Sequence, residues 1–160
     1  MKNKFQLFLE LAQTLKNAFG IVPLLYGSLG LEYLFGIDLQ SDDVDILIPN
    51  LVLTDRWPEF KLLFEQMGYV LVDESEHTFN VGEHSVSFAQ IEDLHSFADI
   101  LISDLRTVSH DNISFLLLSA EQYLRVYEAS SRDGYRIHNR KKKDFEKILL
   151  LKEYIKKMQS

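Results

Sequence analysis

Two short apolar segments constrain the fold of this chain most strongly. Residues 21–26 read Ile-Val-Pro-Leu-Leu-Tyr and end at a Gly-Ser pair, and residues 42–48 read Asp-Asp-Val-Asp-Ile-Leu-Ile and end at a proline. Each segment has the length, the β-branched or aromatic content and the flanking turn residues of a strand. Because side chains alternate along a strand, Asp43 and Asp45 share one face of the second segment. The chain is therefore predicted to form a sheet in which one strand carries two neighbouring carboxylates.

The rest of the chain mixes helical and strand patterns. Apolar spacing and capping residues predict helices over 4–19, 29–35, 54–67 (capped by Thr54), 119–129 (opened by a Ser119/Gln122 capping box) and 140–158. Further strands are predicted over 69–73, 77–81, 85–91 and 113–118, a loop over 130–139, and no clear element over 92–112. The last helix is expected to direct Phe145, Ile148, Leu149, Leu151 and Ile155 inward. This intermixing predicts the α/β (α+β) class, a mixed β-sheet flanked by helices.

Length and composition bound the domain organisation. A chain of 160 residues with 46% hydrophobic and 26% charged residues predicts a single domain over 1–160, with a core over 20–118 and a C-terminal helical segment over 119–160. The absence of Cys excludes disulfides, thiolate metal sites and a cysteine nucleophile. No apolar run reaches the roughly 18–20 residues of a membrane span, and the N-terminus does not resemble a signal peptide. We expect a cytoplasmic protein without a membrane partner.

Charge is distributed unevenly along the chain. The net charge is −7. Residues 1–130 hold 7 Lys and Arg against 20 Asp and Glu, a net charge of −13, whereas residues 131–160 hold 10 against 4, a net charge of +6. A broad acidic surface makes nucleic acid unsuitable as the main partner. The basic segment is a candidate clamp for polyphosphate, with a solvated basic helix as the alternative.

The paired carboxylates and the Gly-Ser turn suggest a common chemistry. Two like charges this close repel one another unless a divalent cation neutralises them, and a site of oxygen ligands alone suits Mg²⁺ or Mn²⁺. Gly27 and Ser28 lie where a strand meets a helix, so they offer backbone N–H groups and a hydroxyl to phosphate oxygens. Together these parts predict metal-assisted phosphoryl or nucleotidyl transfer. The alternative is a polar turn followed by a carboxylate on a solvent-facing strand.

In this order, the motifs resemble those of the minimal nucleotidyltransferase (DNA polymerase β-like) superfamily and its small bacterial members. The matching residues are Tyr26, Gly27, Ser28, Asp43, Asp45 and Ile46, and the stretch from Arg140 to Asp144 is similar to the one that opens the family's last helix. The resemblance implies a nucleotidyltransferase fold with C-terminal helices. It also implies that Gly27 and Ser28 hold a nucleoside triphosphate, that Asp43 and Asp45 bind metal, and that Lys143 contacts the β- and γ-phosphates.

Two departures from the family pattern concern the metal site. The spacer before Asp43 has fourteen residues, slightly more than is usual. The family also places a third carboxylate in a later strand, here the segment 85–91, which contains none. Glu92, just beyond that segment, is the best candidate for the third catalytic carboxylate, and Glu74, Glu76 and Asp99 are weaker candidates.

The predicted function follows from the resemblance and its departures. The chain is expected to transfer a nucleoside monophosphate from an NTP to the hydroxyl of an unidentified acceptor, with Mg²⁺ or Mn²⁺ on its carboxylates. One alternative is a catalytically degenerate fold that binds a nucleotide or a partner protein. Another is the transferase component of a toxin–antitoxin pair. A homodimer could complete an open acceptor groove.

Overall fold

A seven-stranded mixed sheet is the main feature of the computed structural model. The structure describes residues 3–132 and 134–159, and it describes side chains over 3–131 and 145–159. The strands are β1 (Leu24–Tyr26), β2 (Asp43–Ile48), β3 (Val70–Asp73), β4 (Thr78–Val81), β5 (His84–Gln90), β6 (Arg106–His110) and β7 (Ile113–Leu117). Their order across the sheet is β3-β4-β5-β2-β1-β7-β6. β2 lies parallel to β5 and β1 lies parallel to β7, while the other neighbours are antiparallel. The predicted mixed sheet is confirmed.

Helices occupy the segments between the strands and the C-terminal part of the chain. They are α1 (Lys4–Phe19), α2 (Gly27–Phe35), α3 (Asn50–Leu53), α4 (Trp57–Gln66), α5 (Asp93–Ala98), α6 (Ala120–Arg132) and α7 (Gly134–Gln159), with a 3₁₀ turn at Ile102–Asp104. The chain divides into two compact units. The first comprises residues up to 92 together with 106–117 and contains the sheet; the second comprises 93–105 and the residues from 118 onward. The prediction of one domain over 1–160 stays a prediction.

In the first unit, α1 packs its apolar face on the sheet. Asn3 caps this helix by accepting the Gln6 backbone N–H at 2.7 Å, and the helix ends at Gly20, which has a φ of 67°. Buried residues of α1 lie in one hydrophobic cluster with Val44, Ile46 and Phe88 of the sheet. The alternation predicted for β2 is thereby confirmed, because Val44, Ile46 and Ile48 belong to this core whereas Leu47 does not.

In the second unit, the predicted capping box opens α6. The Ser119 backbone N–H donates to Gln122 Oε1 at 2.8 Å, and the Gln122 backbone N–H donates to Ser119 Oγ at 3.2 Å. The side-chain amide of Gln122 also donates to the Asp104 carbonyl oxygen at 3.1 Å. These bonds connect the start of α6 to the 3₁₀ turn.

Among the residues that the structure describes, no helix is both long enough and apolar enough to cross a lipid bilayer.

Three predictions about elements are wrong. Thr54 ends α3 instead of capping the next helix, which begins after Arg56. The predicted loop over 130–139 is helical at its described residues, as part of α6 and α7. Phe145 and Leu149 are 59% and 49% exposed, because α7 buries the stripe that contains Ile148 and Leu151.

The phenol of Tyr69 is buried, and its ring lies 5.1 Å from that of Phe64, centroid to centroid. This burial predicts how the stability of the fold changes at alkaline pH. Burial and, to a smaller extent, the Glu10 carboxylate raise the pKa of Tyr69 to about 12. In the unfolded chain a tyrosine titrates near pH 10. The stability that this shift contributes is therefore complete below about pH 10 and falls as the pH rises towards 12. We expect the Tyr69→Phe variant to lose less stability over this interval in denaturant titrations. Tyr33→Phe controls for the loss of a hydroxyl. If the free energy of unfolding falls equally steeply with pH in wild type, Tyr69→Phe and Tyr33→Phe, the loss of stability does not come from Tyr69.

Candidate functional site

The two predicted carboxylates lie at the start of β2, which is a central strand of the sheet. Asp43 is exposed and Asp45 is partly buried. In the antiparallel register Asp45 is opposite Tyr26, and in the parallel register it is opposite Ser87 of β5. The strand alternation that faces Val44 into the core places both carboxylates on the other side of the sheet. Asp43 and Asp45 therefore share one face, as predicted.

Gly27 brings the backbone at the start of α2 against Asp45. Its φ of +65° is in the left-handed region, which glycine adopts without steric cost. A Cβ atom built on Gly27 would lie 2.5 Å from Asp45 Oδ2 and 3.3 Å from Asp45 Cβ. The structure thus brings the Gly-Ser turn and the Asp-x-Asp strand into direct proximity, and only glycine fits at this position with the carboxylate in its present place.

Ser28 follows in the first turn of α2, a helix of nine residues. The preceding residue, Tyr26, is in extended conformation and makes no side-chain cap. The first backbone N–H groups of a helix have no partners within the helix and carry a partial positive charge. The turn at Gly27 and Ser28 is therefore suited to an anionic group beside the Asp45 carboxylate.

Glu32 fastens the long spacer that precedes Asp43. Its Oε1 atom accepts backbone N–H groups from Leu39 at 3.3 Å and from Ser41 at 2.9 Å. The ammonium of Lys4 donates to the hydroxyl of buried Ser41 at 3.3 Å, which adds a contact from α1. One helix, α2, therefore carries the Gly-Ser turn at its start and the anchor of the spacer four residues later. This arrangement holds the fourteen-residue spacer in a defined position.

We predict that Glu32→Ala destabilises the fold by about 1–3 kcal/mol, because it leaves the N–H of buried Ser41 without its acceptor. Hydrogen exchange at the Leu39 and Ser41 amides should accelerate. Asp38→Ala is the matched control, since the exposed Asp38 carboxylate accepts one local bond, from Gln40 N–H at 2.7 Å, and its loss should have a smaller effect. Unchanged exchange at Ser41 in Glu32→Ala would contradict the anchoring role.

The side chain beside Asp45 on β5 bears a hydroxyl, which contacts a second hydroxyl on β4. Ser87, the register partner of Asp45, lies 2.8 Å from Thr78 of β4, Oγ to Oγ1. Across the described side chains, no three His, Asp or Glu residues are grouped so as to hold a metal ion. The described part of the site therefore presents two carboxylates and a neighbouring hydroxyl pair.

Glu92 is not brought to the two aspartates. Both of its carboxylate oxygens accept the Asn50 backbone N–H, at 3.0 and 3.1 Å, at the beginning of α3. Glu92 follows the end of β5, whereas Asp43 begins the parallel strand β2. At roughly 3.3 Å per residue, the five residues from Ser87 to Glu92 span on the order of 15 Å. Glu92 thus lies at the other end of these strands.

The other predicted residues have these places in the structure. Glu74 accepts the Trp57 indole N–H at 3.4 Å and pairs with Lys61 at 3.7 Å, Glu76 is exposed in the β3–β4 turn, and Asp99 belongs to the second unit. The side chain of Lys143, the predicted phosphate contact, lies outside the described residues.

The donor set is compatible with a magnesium ion that shares its ligands with a substrate. Mg²⁺ is commonly held by one or two carboxylates, with phosphate oxygens and water completing its octahedron. Asp43 and Asp45 supply two carboxylates on one face, and Gly27 leaves open the space that a Cβ atom would fill against Asp45. These residues fit a metal bound together with a polyphosphate.

Comparison with known proteins gives a family and a fold. No family model matches the chain. A relative, the uncharacterised protein YnaI of Bacillus subtilis strain 168, is 38% identical over 149 residues, which cover 93% of this chain and 96% of YnaI. The chain belongs to the YnaI family. The alignment covers nearly the full length of both proteins, so this member of the YnaI family matches its relative in both compact units.

A solved structure shares the fold. The crystal structure of ANT(2")-Ia in complex with adenylyl-2"-tobramycin matches with a TM-score of 0.51 and 12% identity, over 99% of this chain and 100% of that chain. ANT(2")-Ia is an aminoglycoside nucleotidyltransferase. At 12% identity this likeness shows the fold alone. It confirms the predicted nucleotidyltransferase fold for this member of the YnaI family.

Sequence reasoning missed the roles of Glu32 and the Thr78–Ser87 pair. Glu32 lies on a short helix with few polar residues, and nothing in that local pattern indicates the two loop N–H groups that its carboxylate accepts. Ser87 and Thr78 could not be associated with Asp45 without the register of β4, β5 and β2. The Glu32 and Thr78–Ser87 contacts each join residues only seven to nine positions apart, whereas the pairing of Ser87 with Asp45 is long-range.

Proposed function

We propose that this member of the YnaI family is a nucleotidyltransferase that transfers a nucleoside monophosphate from an NTP to the hydroxyl of a small molecule. The observation that carries the proposal is the approach of Gly27 to Asp45, where a Cβ atom would be 2.5 Å from the carboxylate oxygen. This approach joins a phosphate-binding turn to a metal-binding carboxylate. The fold of ANT(2")-Ia, solved with an adenylylated product, supports the proposal.

Each residue has a distinct task in the proposed reaction. The backbone at Gly27 and Ser28 binds the triphosphate. Asp43 and Asp45 would hold Mg²⁺ or Mn²⁺, which would supply neutralisation of the phosphate charge and a lower pKa for the acceptor hydroxyl. The acceptor oxygen forms a bond to the α-phosphorus, and the bond from the α-phosphorus to the oxygen that bridges to the β-phosphate breaks, so that pyrophosphate leaves. The proton of the acceptor hydroxyl passes to solvent water. Glu32 keeps the spacer and the start of β2 in position. Lys143 is proposed to contact the β- and γ-phosphates.

A small-molecule acceptor is favoured by charge. The −13 net charge of residues 1–130 opposes a polyanionic acceptor such as a nucleic acid. The acceptor in the ANT(2")-Ia complex is tobramycin, a small molecule, and this provides the analogy. We propose a small hydroxyl-bearing compound, which can be identified by screening for pyrophosphate release.

Calorimetric titration of ATP and GTP with Mg²⁺ tests the nucleotide site. Wild type is compared with Asp43→Asn/Asp45→Asn and with Asp55→Asn/Asp111→Asn, a control that removes the same charge at exposed positions of the same unit. We expect metal-dependent binding in wild type and in the control, and its loss in the Asp43/Asp45 variant. Equal binding by all three proteins would move the nucleotide site elsewhere.

The second candidate function is nucleotide or protein binding without catalysis. The specific observation in its favour is that Ser87, the residue opposite Asp45 on the strand in which the resemblance predicts a third carboxylate, bears a hydroxyl, and that Glu92 lies at the far end of β5. Tight metal-dependent nucleotide binding, with no pyrophosphate released in the presence of any acceptor tested, would support this candidate. Absence of nucleotide binding would instead direct the search to protein partners.

We predict that Ser87→Asp strengthens Mg²⁺ binding by about tenfold or more, because it adds a third carboxylate opposite Asp45. Without metal, the same variant should be less stable than wild type, since a new charge faces Asp45 and the 2.8 Å contact with Thr78 is lost. Thr107→Asp, which adds a carboxylate at an exposed position of the edge strand β6, is the matched control and should leave Mg²⁺ affinity unchanged. Metal titrations followed by thermal unfolding measure both effects; a Ser87→Asp protein with wild-type metal affinity would show that this position does not face the metal.

A further inference from the structure

A cleft lies in the first unit, on the face of the sheet opposite to Asp45. Its volume is about 450 Å³, within the range of small-ligand sites. His84, which lines it, alternates along β5 with Ser85 and Ser87. Since Ser87 shares the face of Asp45 in the parallel register, His84 lies on the other face. The cleft is therefore separate from the proposed nucleotide site.

The lining of this cleft combines acidic and apolar groups. Apolar walls are formed by residues of α1, the end of α4 and β4, while the polar lining includes carboxylates at Glu10 and Glu83. Among the residues that the structure describes, the lining contains no Lys or Arg, and His84 is the one side chain in it that can carry a positive charge. The residues are Leu7, Glu10, Leu11, Met67, Tyr69, Val81, Gly82, Glu83 and His84. Such a lining repels anions and is complementary to a cation with an apolar portion.

Tyr69 gives the cleft a polar group at its wall. Tyr69 has a solvent exposure of only 7%. Within the described part of the chain its hydroxyl has no hydrogen-bond partner, and no fully buried side-chain polar atom is left unsatisfied there. The hydroxyl therefore opens onto the cleft that Tyr69 lines. Burial and the nearby Glu10 carboxylate raise the pKa of Tyr69 to about 12, so the phenol is neutral at physiological pH and its oxygen can accept a hydrogen bond.

We propose that this cleft binds a small aliphatic ammonium ion. An ammonium group has three N–H donors, and the carboxylates of Glu10 and Glu83 and the phenol oxygen of Tyr69 are acceptors around one space. The apolar walls at Leu7, Leu11 and Val81 accommodate the aliphatic stem. Hydrogen bonds to charged groups are the stronger ones, so the two carboxylates dominate the affinity.

Titration of isotope-labelled protein with hexylammonium, followed by backbone amide NMR, tests the proposal. Hexanoate and 1-hexanol serve as probes of the same length with a negative and no charge. We expect hexylammonium to shift the amides at 67–69 and 81–84 and the other two probes to bind at least about tenfold more weakly. Equal affinity for 1-hexanol would reduce the cleft to an apolar groove and would overturn the proposal.

Variants assign the binding to these residues. Glu10→Gln/Glu83→Gln should weaken hexylammonium binding about tenfold or more, and Tyr69→Phe, which keeps the ring, should weaken it several-fold. Glu121→Gln/Glu153→Gln removes the same charge from exposed positions of the second unit and should have no effect. Equal weakening in the control would indicate general charge attraction and contradict the site. Shifts at 67–69 and 81–84 that depend on protein concentration without ligand would assign the cleft to a second copy instead.

Discussion

Asp45→Asn should reduce Mg²⁺-dependent nucleotidyl transfer by about 100-fold or more while leaving the protein folded. A preorganised electrostatic group that stabilises the transferring phosphate contributes several kcal/mol, and an amide lacks the charge to hold the metal. The backbone pairing of Asp45 with Tyr26 and Ser87 does not involve the carboxylate, so the strand should form unchanged. The thermal midpoint of the metal-free protein should be equal or higher, because one of two neighbouring negative charges is removed.

Asp42→Asn is the matched control for Asp45→Asn. Asp42 is exposed and precedes β2, so its removal changes the local charge equally without altering the strand face that carries Asp45. Pyrophosphate release and Mg²⁺-dependent ATP affinity, measured side by side, should separate the two variants. A fully active Asp45→Asn protein would overturn the proposed mechanism.

The parts of the fold that sequence predicts well have strong local signals. Helix α1 ends at Gly20 and α2 ends at Gly36, both with positive φ, and β2 ends before Pro49. Periodicity of two residues was enough to put Asp43 and Asp45 on one face. These features require only contacts between near neighbours in the chain.

The segment 92–112 shows why other elements could not be predicted. It contains a helix of six residues, a 3₁₀ turn of three and the edge strand β6, whose sequence Arg-Thr-Val-Ser-His has one aliphatic residue. Elements this short contain too few apolar positions to show a period. In α7, two apolar stripes follow helical spacing, and local sequence does not tell that the stripe with Leu151 is buried while the one with Phe145 is exposed.

The third carboxylate illustrates the same limit at the site. Glu92 is close to the predicted strand in sequence, but which residue faces Asp45 depends on the parallel register of β2 and β5. Those strands are joined by some 35 residues, and their register, which pairs Asp45 with Ser87, is a long-range property. The carboxylate pair could therefore be predicted, whereas its surroundings could not.

Gly27→Ala should abolish metal-dependent nucleotide binding with a much smaller effect on stability. The new Cβ atom would be 2.5 Å from Asp45 Oδ2, a terminal side-chain atom that can rotate away, and 3.3 Å from Asp45 Cβ. The carboxylate must therefore turn aside from its place. A displacement of about 1 Å in a positioning group can reduce activity by about 100-fold. The left-handed φ of +65° adds roughly 1–2 kcal/mol of backbone strain for alanine.

Gly20→Ala isolates the strain from the displacement of Asp45. Gly20 has a φ of +67°, almost the same as Gly27, but a Cβ atom there would meet nothing within 4 Å. We expect Gly20→Ala to lose roughly 1–2 kcal/mol in denaturant unfolding and to retain wild-type binding of Mg²⁺ and ATP. Gly27→Ala should lose a comparable or slightly larger amount of stability together with its nucleotide binding. If Gly27→Ala binds Mg²⁺ and ATP as tightly as Gly20→Ala does, the approach of Gly27 to Asp45 is a packing feature and the nucleotide site lies elsewhere.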